Sequence, residues 1–169
     1  MPKGLKETSS LIAIGAEVTE SAAGTFTTNK VDLQLNPLDN EVFVVYGIDI
    51  DLEAPELIAN TSTLTRASIS TTERTTIGGI ANSNVLAAGR IQTQDVGGTS
   101  AVTNEYASDS APATQLEYLG IIATNDFYLN VLGSAGHAAA KSMSARVYGV
   151  RARADASVYA ALVQSEVLS

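Results

Sequence analysis

The sequence predicts an all-β chain folded as an antiparallel β-sandwich of about eight strands, with little helix. Three observations carry that prediction. Thr, Ser, Val and Ile dominate, and Gly or Asn punctuates them, which is strand-and-turn composition. Several segments alternate apolar and polar residues with a period of two. No strand–helix–strand alternation appears, so a parallel α/β sheet is disfavoured. A two-sheet sandwich or a jelly roll suits that number of strands in 169 residues.

The elements follow in chain order. Residues 1–10 read as an N-terminal arm, and residues 11–169 as one sandwich domain. KVDLQLNP alternates Val31, Leu33 and Leu35 against Lys30, Asp32 and Gln34. Asn36-Pro37 stops it, and Leu38-Asp39-Asn40 makes a turn. EVFVVYGIDIDL, 41–52, predicts a strand roughly 40 Å long. Strict alternation sends Val42, Val44, Tyr46, Ile48, Ile50 and Leu52 to one face. Its first half is apolar on both faces, which marks a central strand, and Ala54-Pro55 ends it.

Residues 60–77 are rich in Thr and Ser and read as exposed strand and loop until Gly78-Gly79. VLAAGRIQTQ, 85–94, is a weaker strand, and 95–114 is the best loop candidate. LEYLGIIAT (116–124) and FYLNVLG (127–133) flank an Asn125-Asp126 turn. GSAGHAAAK is a small-residue connection with room for one helical turn, and 141–155 is another long strand. The tail ASVYAALVQSEVL has Val158, Leu162 and Ser165 at helical spacing behind Asp155, a candidate N-cap. It also alternates tolerably as a strand, so both readings stand.

A single domain of this length buries roughly 70% of its unfolded surface and needs no staple. With no Cys, disulfides, thiolate metal sites and thiol nucleophiles are excluded. The net charge of −8 repels phosphate backbones and disfavours direct nucleic-acid binding. Lys3 and Lys6 are too few for a genome-condensing arm. The longest apolar run near the N-terminus, LIAIGA at 11–16, is too short for a signal peptide, and no stretch approaches ~20 apolar residues. The expectation is a chain made soluble in the cytoplasm.

VVYGIDIDLEA, 44–54, and RVYGVRARADA, 146–156, repeat one phrase, first in acid and then in base. Asp49, Asp51 and Glu53 follow the first Val-Tyr-Gly; Arg151 and Arg153 follow the second. Two accounts are open. The strands are antiparallel neighbours, with these charges as cross-strand pairs worth roughly 0.2–1 kcal/mol each. Alternatively, the acidic stripe of one subunit meets the basic stripe of the next, a heterologous contact that closes rings or extends lattices.

Chemistry is sparse. His137 is the sole histidine, in a small-residue loop without a nucleophile motif, and reads as a loop residue. One His and no Cys exclude histidine-based zinc sites. Asp49, Asp51 and Glu53 are oxygen donors, but alternate strand residues lie ~7 Å apart, too far to share a calcium ion unaided. Without Trp, a sugar-stacking platform is poor. Gly78-Gly79, Gly97-Gly98 and 133–136 are turn glycines, and Asn60-Thr61-Ser62 is a bare glycosylation pattern. The expectation is no enzyme, no cofactor, no metal and no small-molecule substrate.

The whole chain resembles the small single jelly-roll capsid proteins of icosahedral viruses and phages. The likeness lies in about eight strands, Thr/Ser/Ala-rich loops, and long strands around Val44-Tyr46-Gly47 and Val147-Tyr148-Gly149. It implies a single jelly roll and a structural, self-assembling coat subunit of a virion. Its partners would be copies of itself, other capsid proteins or an underlying membrane. The missing basic arm departs from genome-wrapping members. A ligand- or carbohydrate-binding sandwich is the first alternative. It needs exposed aromatics, and Tyr106 is the clear loop tyrosine. A filament or pilus-like subunit donating SSLIAIGAEV is the second.

Overall fold

A computed structural model describes residues 1–95, 102–107 and 116–169 of the chain; for 102–107 this concerns the backbone alone. The described strands are β1 (Leu5–Glu7), β2 (Ile12–Thr19), β3 (Thr27–Asp32), β4 (Glu41–Leu52), β5 (Ser62–Ser70), β6 (Val85–Asp95), β7 (Val102–Ala107), β8 (Gly120–Ile122), β9 (Asp126–Gly133) and β10 (Ser142–Ala154). Among the described residues there is one α-helix, α1 (Ala156–Leu168). A short 3-10 turn at Pro37–Asp39 is capped by the Asn36 side chain, which accepts from the Leu38 N–H.

The strands make two five-stranded sheets. In the first, β10 lies between β4 and the in-line pair β1 and β2, and β8 flanks β4. The second runs β3-β9-β5-β6-β7. Every pairing is antiparallel, and four of them nest: β2 with β10, β3 with β9, β4 with β8, β5 with β6. One long hairpin rolled into two facing sheets gives that nesting, which is the jelly roll. The chain is a single jelly-roll β-sandwich.

The core fills the space between the sheets. Phe43, Val45, Ile48 and Val147 from the first sheet meet Ile69, Phe127, Leu129 and Val131 from the second. All are at most 2% exposed. Sides this large and this dry supply roughly 1.5–3 kcal/mol each on burial. Thr63, Thr65, Ser68 and Ser70 are also buried, so β5 is an interior strand rather than the exposed one its composition suggests. Short β-branched and hydroxyl side chains fit a pleated surface, and some find partners in place: the Thr63 hydroxyl donates to the Glu56 carbonyl at 2.6 Å.

Three other expectations change. The loop expected at 95–114 contains β7, paired along β6 from Arg90 to Asp95, so Tyr106 lies in a strand. The rest of that loop falls outside the described residues. LEYLGIIAT shortens to β8, and residues 134–141 form turns without a helix. The tail resolves as helix: Val158, Tyr159, Leu162 and Val163 lie on a second apolar cluster of Val42, Val44, Val150, Ala152 and Ala154. Asp155 occupies the N-cap position without a side-chain cap bond.

The two Val-Tyr-Gly phrases do pair with each other, and a bulge sits at their crossing. Tyr148 faces Gly47, but Gly149 faces Val45, which leaves Tyr46 as an extra residue on β4. An extra residue reverses the phase of alternation. Phe43 and Val45 therefore share the inner face with Ile48, Ile50 and Leu52, while Val42 and Val44 turn outward under α1. Position 149 needs glycine, because a Cβ there would strike the Val44 carbonyl and come within 2.6 Å of the Phe43 ring.

Candidate functional site

Antiparallel pairing sends the tails of the doubled phrase in opposite directions. Asp49 and Asp51 thus lie across from Arg146 and Ser144, while Arg151 and Arg153 lie across from Phe43 and Glu41. The cross-strand pairing of Asp49 and Asp51 with Arg151 and Arg153 does not form. The strands are neighbours, but the register separates the two charged tails.

The arginines find acids of their own chain. Arg151 Nη1 reaches Glu41 at 3.1 Å, and its guanidinium also donates to the carbonyls of Leu33 (2.7 Å) and Gln34 (3.2 Å). Arg153 Nη2 reaches Asp39 at 2.6 Å. These contacts pin the 3-10 turn and the segment after β3 to the end of β10. Arg151 and Arg153 act here as fold contacts.

Glu53 also turns to its own chain. It accepts from the Ser142 amide at 3.0 Å and hydroxyl at 2.9 Å, and lies 3.6 Å from Lys141 Nζ. Burial pushes the Glu53 carboxyl up, but those hydrogen bonds and the lysine charge outweigh it and leave it below the usual carboxylate range. Glu56 accepts from the amides of Ala138 and Ala139, which lower its pKa, and lies 3.7 Å from Lys141 Nζ. Buried Glu20 accepts from the amides of Gly133 (2.7 Å) and Lys141 (2.9 Å). The carboxylates of Glu20, Glu53 and Glu56 thus clamp the β9–β10 connection. His137 is buried in it, and neither ring nitrogen has a partner among the described residues.

Asp49 and Asp51 remain on an open surface. Three rows cross the outer face of the first sheet, read from β2 through β10 to β4: Glu17–Ser144–Asp51, Gly15–Arg146–Asp49 and Ala13–Tyr148–Gly47. Gly15 and Ala13 carry little or no side chain, so the rows enclose a shallow groove of about 540 Å³ lined by Gly15, Glu17, Asp49, Asp51, Ser144 and Arg146. The Tyr148 hydroxyl donates to Asp49 at 3.1 Å. Arg146 makes no ion pair among the described residues, although Asp49 stands opposite it. The groove can receive cationic or hydrogen-bonding groups on a rigid three-strand platform. Among the described residues, no three His, Asp or Glu side chains are placed to hold a metal.

Sequence reasoning missed Arg66 and Arg90. They face each other directly across the β5–β6 ladder, both exposed, on the outer face of the second sheet. They line a groove of about 430 Å³ with Ile77, Gly78, Gly79 and Ile80. Their spacing of twenty-four residues carries no local signal; only the hairpin register joins them.

With this geometry in hand, the class of the molecule is a jelly-roll sandwich bearing charged outer sheet faces. No protein-family model matches the chain, and no curated protein matches it in sequence. Among solved structures, the chain is similar to the unassembled KI polyomavirus VP1 pentamer, with a TM-score of 0.38 and 8% identity, covering 89% of this chain and 100% of that one. The fold assignment itself rests on the nested strand pairs.

Proposed function

We propose that the chain is a structural coat subunit of a virion that assembles with copies of itself. One observation carries this reading: the two broad outer faces of a rigid jelly roll carry strand-borne charge of opposite sign. Glu17, Asp49 and Asp51 mark one face, and Arg66 with Arg90 marks the other. Charges built into strands are held in fixed geometry, which favours lattice contacts of defined angle. The net charge of −8 keeps the free subunit dispersed. The role is structural rather than catalytic, and other coat proteins or a membrane beneath the lattice are further partners in this reading.

The groove of about 540 Å³ favours a second reading, a ligand-binding sandwich, since its size lies within the range of small-molecule sites. The donated-strand filament reading loses its strand, because residues 12–19 pair with β10 of the same chain and residues 5–7 pair farther along it.

The test is light scattering or mass photometry across protein concentration and ionic strength, with negative-stain images. Salt-sensitive rings, sheets or shells are expected. A monomer at every concentration and salt would overturn the coat reading and move the binding module to first place.

A further inference from the structure

An antiparallel ladder uses the backbone groups of alternate residues and leaves the others on the far edge of the strand. Among the described residues, β2 pairs with β10 alone. Two bonds fix the parity of that ladder. The Glu20 amide donates to the Lys141 carbonyl, and the Glu53 amide donates to the Ser142 carbonyl. Met143, Ala145 and Val147 of β10 therefore bond to Val18, Ala16 and Ile14 of β2. Ala13, Gly15 and Glu17 turn their amides and carbonyls the other way, to the edge. The Asn29 side-chain amide donates to one of these groups, the Glu17 carbonyl, at 2.8 Å. A carbonyl has two lone pairs, so one is left there. Among the described residues, no backbone bond closes the rest of this edge.

Native sheets keep such edges from pairing by shortness, lysine, proline or a bulge. β8 is three residues long, and β3 carries Lys30. β2 has none of these devices. It runs unbroken for eight residues, IAIGAEVT, with Glu17 as its one charge. Gly15 at its middle is exposed, and a Cβ there would meet nothing within 4 Å. On the inner face, Ile12, Ile14 and Ala16 are only partly buried at the rim of the core. An open ladder beside half-wet isoleucines is a template for another strand.

We propose that β2 pairs antiparallel with β2 of a second copy about a two-fold axis at Gly15, which joins the two first sheets into one continuous sheet. The strand is self-complementary in that register. Residues 12–18 overlap in full. On the inner face Ile12 meets Val18 and Ile14 meets Ala16, so the half-wet rim of each core becomes covered. On the outer face Glu17 meets Ala13, and Gly15 meets Gly15 of the second copy with no side chain between them. An axis at Glu17 would instead set two carboxylates face to face, which opposes pairing. The contact is isologous and stops at two copies, so it supplies a dimeric building block. This inference rests on the coat reading and names a surface on which two of its subunits meet.

The experiment uses the full chain in single variants, each checked by thermal melting for an unchanged fold. Gly15→Pro removes an amide that the fold leaves unused and sets a ring in the partner's path, so dimerisation in sedimentation should weaken about tenfold or more. Cysteines read the register independently of that variant. Because the chain has no Cys, Gly15→Cys should form a disulfide-linked dimer on mild oxidation. Ala13→Cys stands opposite Glu17 rather than itself, so it should cross-link with Glu17→Cys and not alone. Parent-like association by a folded Gly15→Pro, or cross-linking of Gly15→Cys no faster than of Ala13→Cys, would overturn this contact and leave the coat reading standing. A Gly15-linked dimer that never grows larger would support the contact and overturn the lattice. A parent chain that never associates would overturn both.

Discussion

The outer face of the first sheet divides at the Tyr46–Gly149 bulge, and its two halves are built to opposite rules. On one side, Val42, Val44, Val150 and Ala152 point outward and α1 covers them, leaving each at most 2% exposed. On the other side, Asp49, Asp51, Arg146 and Ser144 point outward from the same two strands and nothing among the described residues covers them. The same pair of strands therefore makes a second core and an open charged platform. The difference teaches where selection for folding stops. A covered apolar half contributes stability through burial, whereas an open half of mixed charge contributes little and is free to serve another molecule.

Placing a carboxylate in each half should break the comparison most sharply. Val150→Asp puts an unpaired charge beneath α1 and should cost about 4 kcal/mol or more, enough to lower the urea midpoint steeply or prevent folding. Ala13→Asp, outward-facing on the open half, should change stability by less than ~0.5 kcal/mol. Equal effects at the two positions would refute the division. Leu162→Ala tests the lid itself. The side chain is only half-buried against the second cluster, so a loss of about 1–2 kcal/mol is expected in the same titration.

How α1 is held gives a pH signature confined to the covered half. Glu166 is the helix's one charged residue, and it is buried, accepting from the amides of Ala123 (3.0 Å) and Thr124 (2.7 Å). Burial pushes its carboxyl up, and those amides pull it back only in part. The folded state thus holds the proton more tightly than the unfolded chain does. Its contribution is fully present below the ordinary glutamate range and is lost as pH rises through the raised value. Glu166→Gln keeps an acceptor for the amides and removes the titration. Melting temperatures of parent and variant should converge under acid conditions, with the variant relatively more stable once pH passes the window. A constant offset at every pH would show that burial does not govern this carboxyl.

Much of this plan was legible in the residues, and the failures have physical causes. Alternation in 41–52 revealed a long central strand, but a bulge inserts one residue without a composition signal, so the facing of Val42 and Val44 could not be read locally. Thr63 and Thr65 are polar by composition yet buried, because their short β-branched side chains fit the interior of a sheet. The tail stayed ambiguous between helix and strand because α1 is small or apolar around most of its circumference, and a helix without contrast shows no clean period. Asp49 and Asp51 stood out as an acidic stripe, whereas Arg66 and Arg90 become one patch only through strand register. Local pattern reports which strands exist; the pairing that builds a charged surface is non-local.

The smallest expected effect on the fold is also the most informative about the open half. If Asp49 and Asp51 serve register, neutralising both should cost several tenths of a kcal/mol per lost pair. The geometry argues against that role. Asp51 stands opposite Ser144 rather than a base, and Arg146, opposite Asp49, makes no ion pair among the described residues. The contact Asp49 does make, from the Tyr148 hydroxyl at 3.1 Å, survives in Asn, whose side-chain oxygen still accepts. Asp49→Asn with Asp51→Asn should therefore leave the urea midpoint within the equivalent of ~0.5 kcal/mol. The same variant should flatten the salt dependence of self-association, since it removes charge from an exposed face that screening already weakens. A large stability loss with unchanged association would assign these carboxylates to the fold and make the two halves of the sheet one structural unit.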